Sequence, residues 1–138
     1  MDSTTYTNPH GLSEKDHLST AADLAKLAFT ALGNPMFSDY VSTRERGVVV
    51  RGSSGYERNV IWKNTNQLLA IQGYEGIKTG TTSKAGACLA SVCFREDRRL
   101  LLVVLGSSSS SSRYTDSRNL YRWAWLNLMG VNDEMGDH

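Results

Sequence analysis

Residues 74–105 read YEGIKTGTTSKAGACLASVCFREDRRLLLVVL. Glu75–Thr81, Ala85–Phe94 and Arg99–Leu105 are rich in β-forming residues and are broken by small or charged clusters, the pattern of three strands joined by short turns. Arg95–Arg98 makes a charged hairpin turn between the last two, so the three form an antiparallel meander. Leu100–Leu105 is six apolar residues without alternation, as in a strand covered on both faces, and such strands belong inside a sheet rather than at its edge.

On the N-terminal side, residues 1–16 carry Pro9, Gly11 and alternating charges and read as loop. Ser19 and Thr20 can cap a helix, with Asp23 three residues after Thr20, and Leu24, Leu27, Ala28, Ala31 and Leu32 follow at helical spacing until Gly33 and Pro35 end it. A shorter helix is predicted over Met36–Ser42, a short strand over Gly47–Arg51, and a turn over Gly52–Gly55. On the C-terminal side, the six serines 107–112 read as a flexible, solvated connector. Arg113–Met129 then carries Leu120, Tyr121, Trp123, Ala124, Trp125 and Leu128 on a broad helical face, and residues 130–138 read as a frayed acidic tail. Trp123 and Trp125, two apart on a helix, point to different sides, which leaves one of them for an interface. Residues 1–138 are therefore expected to form a single α+β domain with the terminal helix laid across the sheet.

Composition narrows the function. With 15 Lys plus Arg against 14 Asp plus Glu, the net charge of +1 gives no concentrated positive field for nucleic acid or an anionic membrane surface. No window is long and apolar enough for a membrane span, and the polar first sixteen residues are no export signal, so the chain as written is expected in the cytoplasm. Cys88 and Cys93 are five apart in one strand, point to opposite faces and cannot bridge within the chain. His10, His17 and His138 form no ligand set with them, so neither a metal nor a cofactor is expected.

The chemistry-bearing string is Lys78-Thr79-Gly80-Thr81, on a strand and followed by Lys84, Ala85 and Gly86. Around it stand Asn8-Pro9-His10-Gly11-Leu12, His17-Leu18-Ser19-Thr20-Ala21-Ala22-Asp23-Leu24-Ala25 and Asn64-Thr65-Asn66-Gln67-Leu68-Leu69. Gly76-Ile77-Lys78-Thr79-Gly80-Thr81-Thr82, Ala85-Gly86-Ala87-Cys88-Leu89 and Arg99-Leu100 through Leu105-Gly106 follow. In this order and spacing the blocks, over roughly residues 7–125, resemble the C-terminal half of the D-alanyl-D-alanine carboxypeptidases, the low-molecular-weight penicillin-binding proteins. The resemblance implies a partial β-lactamase/transpeptidase-like fold and a substrate-binding wall at Lys78, Thr79, Gly80 and Thr81. The ammonium and hydroxyl would hold the substrate carboxylate, Gly80 would let substrate backbone lie close, and Thr81 would lend its N–H to an oxyanion hole. His10 and His17 fall in blocks that the family uses for loop and helix entry, not as general bases.

The family's serine nucleophile and its lysine base lie in an SxxK motif upstream of the NPHGL-like block, as does its SxN motif. In this sequence Ser13, Ser19, Ser38, Ser42, Ser54 and Ser83 lead three residues on to Asp16, Ala22, Val41, Glu45, Glu57 and Gly86, none of them lysine. The chain is therefore expected not to run the acyl-enzyme reaction alone. Because the family completes its sheet beside the strand matching Arg99–Leu105, an open apolar edge is expected, to be covered by a second copy, a dimer being favoured, or by a separate N-terminal half. Two further readings remain: a small hydrolase of activated esters or phosphoesters with a site at an oligomer interface, or a non-catalytic module that binds peptidoglycan-like peptides. The family works outside the cytoplasmic membrane, in contrast to the missing export signal.

Overall fold

The computed structural model describes residues 1–133, as three α-helices, five strands and one 3₁₀ turn. Helix α1 spans Ala21–Leu32; the Thr20 hydroxyl accepts the Asp23 N–H at 3.1 Å. Asp23 does not complete a capping box. Its carboxylate turns to the loop before the helix and accepts from Ser3 N (3.1 Å) and Thr4 Oγ1 (2.7 Å), tying down the N-terminal segment. Helix α2, Pro35–Ser42, starts on Asn34, whose side chain accepts from the N–H groups of Met36 and Phe37; Pro35 fits the first turn, where no donor is needed.

Strands β1 (Glu45–Arg51) and β2 (Glu57–Lys63) form a two-stranded hairpin. The second of these was not legible in the sequence: Glu57-Arg58-Asn59-Val60-Ile61-Trp62-Lys63 has a polar half and no alternation, because both faces of the hairpin are largely exposed. A 3₁₀ turn at Gln67–Ala70 then leads to β3 (Tyr74–Thr82), β4 (Gly86–Arg95) and β5 (Arg98–Ser107), an antiparallel sheet in the order β3-β4-β5. Arg95 faces Arg98 across a two-residue turn in which Glu96 and Asp97 take φ of 51° and 58°, the left-handed pair that matches strand twist.

Both faces of this sheet are covered. On one, α1 and α2 pack Ala28, Leu32, Phe37 and Val41 over Ile77, Val92 and Leu101. On the other, α3 (Ser112–Asp133) packs Tyr121, Trp125 and Leu128 over Cys93, Leu100 and Leu102, with Tyr114 beside Leu68 and Leu89 nearer its start. This is the α+β arrangement expected, with the terminal helix across the sheet. Leu100–Leu105 does meet side chains on both faces, yet β5 is an edge strand here, and Val104 alone of its apolar residues is buried. Trp125 enters the core while Trp123 stays 65% exposed, the division their spacing requires.

Two sequence expectations change. The serine run is a short capping turn rather than a free connector: Ser107 ends β5, its hydroxyl donating to Asp116 at 2.8 Å. Ser109 links to Ser111 and Ser112 at 2.9 and 2.7 Å, Ser112 N donates to Ser109 Oγ, and Ser112 already opens α3. Serine hydroxyls satisfy the orphan donors of a helix start, so a run that looks like linker composition serves as a cap. The backbone of residues 130–133 continues α3 rather than fraying, and the remainder of the expected tail, 134–138, lies outside the described residues.

Candidate functional site

Lys78, Thr79, Gly80 and Thr81 lie on β3, an edge of the main sheet, where the register pairs them with Ala90, Leu89, Cys88 and Ala87. Lys78 is exposed and its ammonium donates to the Thr79 carbonyl. Thr79 is buried and its hydroxyl meets that of Thr65 at 2.6 Å. Gly80 is exposed, and a β-carbon built on it would meet no atom within 4 Å, so the backbone there fronts open space. Thr81 turns its hydroxyl to the Arg113 guanidinium at 2.9 Å. The four residues thus place an exposed ammonium, an exposed hydroxyl at Thr81, a buried hydroxyl at Thr79 and a bare strip of backbone along one strand.

Three groups join this strand that sequence reasoning did not single out. Ser13, at the end of the Asn8–Leu12 loop, meets Thr82 at 2.7 Å, so the loop closes on the far end of the strand. That loop is held by Asn8, which donates to Leu12 O and Glu14 and accepts from Gly11 N. His10 and His17 each accept a backbone N–H, from Leu12 and Thr7, and so brace the loop. Tyr114 receives the Gln67 N–H at 3.3 Å and donates to Thr65 O at 2.9 Å, fastening the segment that supplies the Thr65 hydroxyl.

The third is Arg113, read from the sequence only as the start of a helix. It is 6% exposed, and its Nη1 donates to Thr81 Oγ1, to Gly80 O (3.3 Å) and to Cys88 O (3.4 Å), its Nη2 to Tyr114 OH (3.4 Å). Every one of those acceptors is neutral, its Nε has no partner, and no carboxylate pairs with it among the described residues. It also stands in the first turn of α3, where the helix dipole disfavours a cation. A buried guanidinium in that position is costly unless an anion meets it. The signal in the sequence was a lone arginine directly after six serines, which carries no such meaning by itself.

The string Ser117-Arg118-Asn119 has the S-x-N spacing, but it is helical. Ser117 is fully buried and gives its hydroxyl to Arg113 O at 2.6 Å, while Asn119 is exposed, so the two side chains do not converge. Cys93 is buried among Tyr121 and Trp125, and burial pushes its thiol above the usual range, opposite to what a nucleophile needs. Among the described residues no group of three or more His, Cys, Asp or Glu side chains is placed to hold a metal.

The family model for D-alanyl-D-alanine carboxypeptidases matches residues 1–109, and with it the blocks that flank β3. The chain belongs to the D-alanyl-D-alanine carboxypeptidase family. It is 32% identical over 133 residues to D-alanyl-D-alanine carboxypeptidase DacD of Escherichia coli, covering 95% of this chain and 32% of that protein. It is 30% identical over 114 residues to DacF of Bacillus subtilis, covering 82% and 28%. The structure of the Streptomyces K15 DD-transpeptidase superposes with a TM-score of 0.79 at 30% identity, over 84% of this chain and 45% of that one. DacD of Francisella tularensis gives 0.75 at 25% identity, over 88% and 40%. The chain thus spans about a third of the length of the curated relatives it matches and less than half of the solved ones. Like its relatives, this carboxypeptidase-family chain is α+β, and no helix among the described residues is long and apolar enough to cross a membrane.

Proposed function

We propose that this chain is the carboxylate-holding half of a D-Ala-D-Ala peptide site, and that by itself it binds rather than cleaves. The observation that carries the reading is Arg113: a buried guanidinium with only neutral acceptors, aimed at Gly80 and Thr81 on the strand edge. A peptide carboxylate at that edge would meet the guanidinium, the Thr81 hydroxyl and, from the exposed side, the Lys78 ammonium. Charge-assisted bonds of this kind are shorter and stronger than neutral ones. The open space at Gly80 leaves room for the peptide backbone, which a β-carbon would fill. No serine in the chain is followed three residues later by lysine, so the chain lacks the family's pairing of nucleophile and base and is not expected to form an acyl-enzyme alone. The substrate class follows from the relatives' names, and a peptidoglycan-type ligand would place the work outside the cytoplasmic membrane.

The test is a titration with a D-Ala-D-Ala-terminated peptide against the same peptide amidated at its C-terminus, followed by calorimetry and by amide shifts of Gly80 and Thr81. The acid is expected to bind at millimolar or tighter affinity and the amide not. Arg113→Met should weaken the acid by about 10- to 100-fold, the worth of hydrogen bonds to a charged partner. Equal behaviour of acid and amide, or an Arg113→Met protein that binds as before, overturns the reading.

A further inference from the structure

Among the described residues, the β1–β2 hairpin is hydrogen-bonded to the body at its base. There the Asn64 side chain donates to Val41 O (3.3 Å) and Thr43 O (3.2 Å), and Asn64 N donates to Arg44 O at 2.8 Å. Beyond that base both strands are exposed except at Val48 and Val60, which are half-buried, and Ile61 and Trp62 are 64% and 60% exposed. A two-stranded hairpin alone is marginal in water, and its outer edges are templates for another strand.

Which backbone groups face outward follows from the register. Gly52 bonds to Tyr56 at one end of the hairpin and Asn64 to Arg44 at the other. Bonded pairs alternate between them, so Arg58, Val60 and Trp62 point their backbone groups inward to Val50, Val48 and Arg46. Glu57, Asn59, Ile61 and Lys63 therefore point theirs out along the free edge of β2.

We propose that this edge pairs with the same edge of a second copy, antiparallel about a two-fold axis at Val60. Glu57 then lies opposite Lys63, Arg58 opposite Trp62 and Asn59 opposite Ile61 of the other copy, with Val60 opposite itself. All four outward-facing residues fall in hydrogen-bonded positions. Sliding the register by two residues in either direction keeps the bonding parity but takes Glu57 away from Lys63.

Within one hairpin Arg51 already meets Glu57 (Nε to Oε1 2.6 Å), and Lys63 stands opposite Glu45. The two-fold joins these into a four-strand row Arg51, Glu57, Lys63, Glu45, the last two from the second copy, with charges alternating plus, minus, plus, minus, and a second such row lies at the other end. Between the rows, on the opposite face, Val48, Val60 and their copies form an apolar row. Trp62 stands there opposite Arg46 of its own hairpin and would have Arg58 of the other copy on its other side. Opposite charges and aromatic pairs across strands stabilise a sheet, and like charges oppose it. The free edge of β5 has no such match: its two arginines, Arg98 and Arg99, sit at one end with Gly106 and Ser107 at the other, so a copy of itself brings no opposing charge.

Mass by sedimentation velocity across a concentration series is expected to show a monomer–dimer equilibrium. Ile61→Pro removes an outward donor on β2 and leaves the hairpin's own bonds intact, and it should weaken dimerisation at least about tenfold. Val49→Pro does the same on the outer edge of β1 and should leave the dimer unchanged; matching far-UV circular dichroism would show that both variants fold. Val60→Cys, opposite itself in a close non-hydrogen-bonded pair, should form an intermolecular disulfide under mild oxidation, whereas Asn59→Cys, displaced from its own copy by two residues, should not. A chain that stays monomeric at millimolar concentration overturns the proposal. So does a dimer that Val49→Pro dissolves, which would point to β1, or one that survives both prolines, which would point to β5.

Discussion

Single residues in this chain matter most where the backbone or a buried charge leaves no alternative. Gly73 takes φ of 91°, and a β-carbon there would come within 2.8 Å of the Phe94 carbonyl, while Gly73 O accepts the Phe94 N–H at 2.7 Å. Gly73→Ala should therefore cost about 1–3 kcal/mol, read as a lowered denaturant midpoint with unchanged slope. Asp23 offers a test by pH. Its carboxyl is held below the usual range chiefly by the Thr4 hydroxyl, helped by the Ser3 N–H and opposed by burial. A lowered folded pKa contributes stability above the unfolded value and loses it as pH falls through the folded one. The melting temperature of the native chain should fall below about pH 4, and that of Asp23→Asn should start lower and fall less. Parallel curves for the two proteins would remove Asp23 from the account. The two thiols make a third comparison: Cys88 is half-buried and Cys93 is buried with its thiol pushed up, so an alkylating reagent on the folded protein should label Cys88 and spare Cys93.

At the level of elements, the decisive contact is that of α3 with the sheet. Ser91 has no exposed surface and its hydroxyl meets Tyr121 OH at 3.0 Å, with Leu100 O at 3.4 Å from the same phenol. Tyr121→Phe strands the Ser91 hydroxyl in the core and should cost about 1–3 kcal/mol, whereas Ser91→Ala together with Tyr121→Phe should cost less than the two changes summed. The strands and helices that pack on one another were legible beforehand, because burial writes periodicity into sequence: α1 through Ala28 and Leu32, and β3 to β5 through their apolar runs. Strand β2 was not, because an element that buries little carries little pattern. The site divides the same way. Lys78 to Thr81 can be proposed from a local string, while Arg113 is brought to that strand by tertiary packing from the far side of two strands and a turn, and its burial without an anion is what marks it out.

For the whole molecule, the open edge of β5 is the feature that sets what the chain can do. Its apolar residues Leu100–Val103 are half-buried between the two helical layers, and no strand continues the sheet beyond them among the described residues. The chain superposes on less than half of a solved family member. Incubated alone with a reactive β-lactam, the chain should keep its mass, because none of its serines has the lysine partner three residues on. Mixed with a relative's segment that carries an SxxK serine, the chain would be expected to offer the open β5 edge for strand pairing. The expected result is a heterodimer in which the adduct appears on the added segment, with Arg113→Met slowing acylation because the β-lactam carboxylate would lose its guanidinium. An adduct on this chain alone would reveal a nucleophile outside the family pattern. A mixture that neither associates nor acylates would mean that the β5 edge does not take up strands from such a segment. The β2 edge lies on a separate hairpin, so the dimer proposed above should survive that complementation, and a heterotetramer of two copies of each segment is the mass to look for.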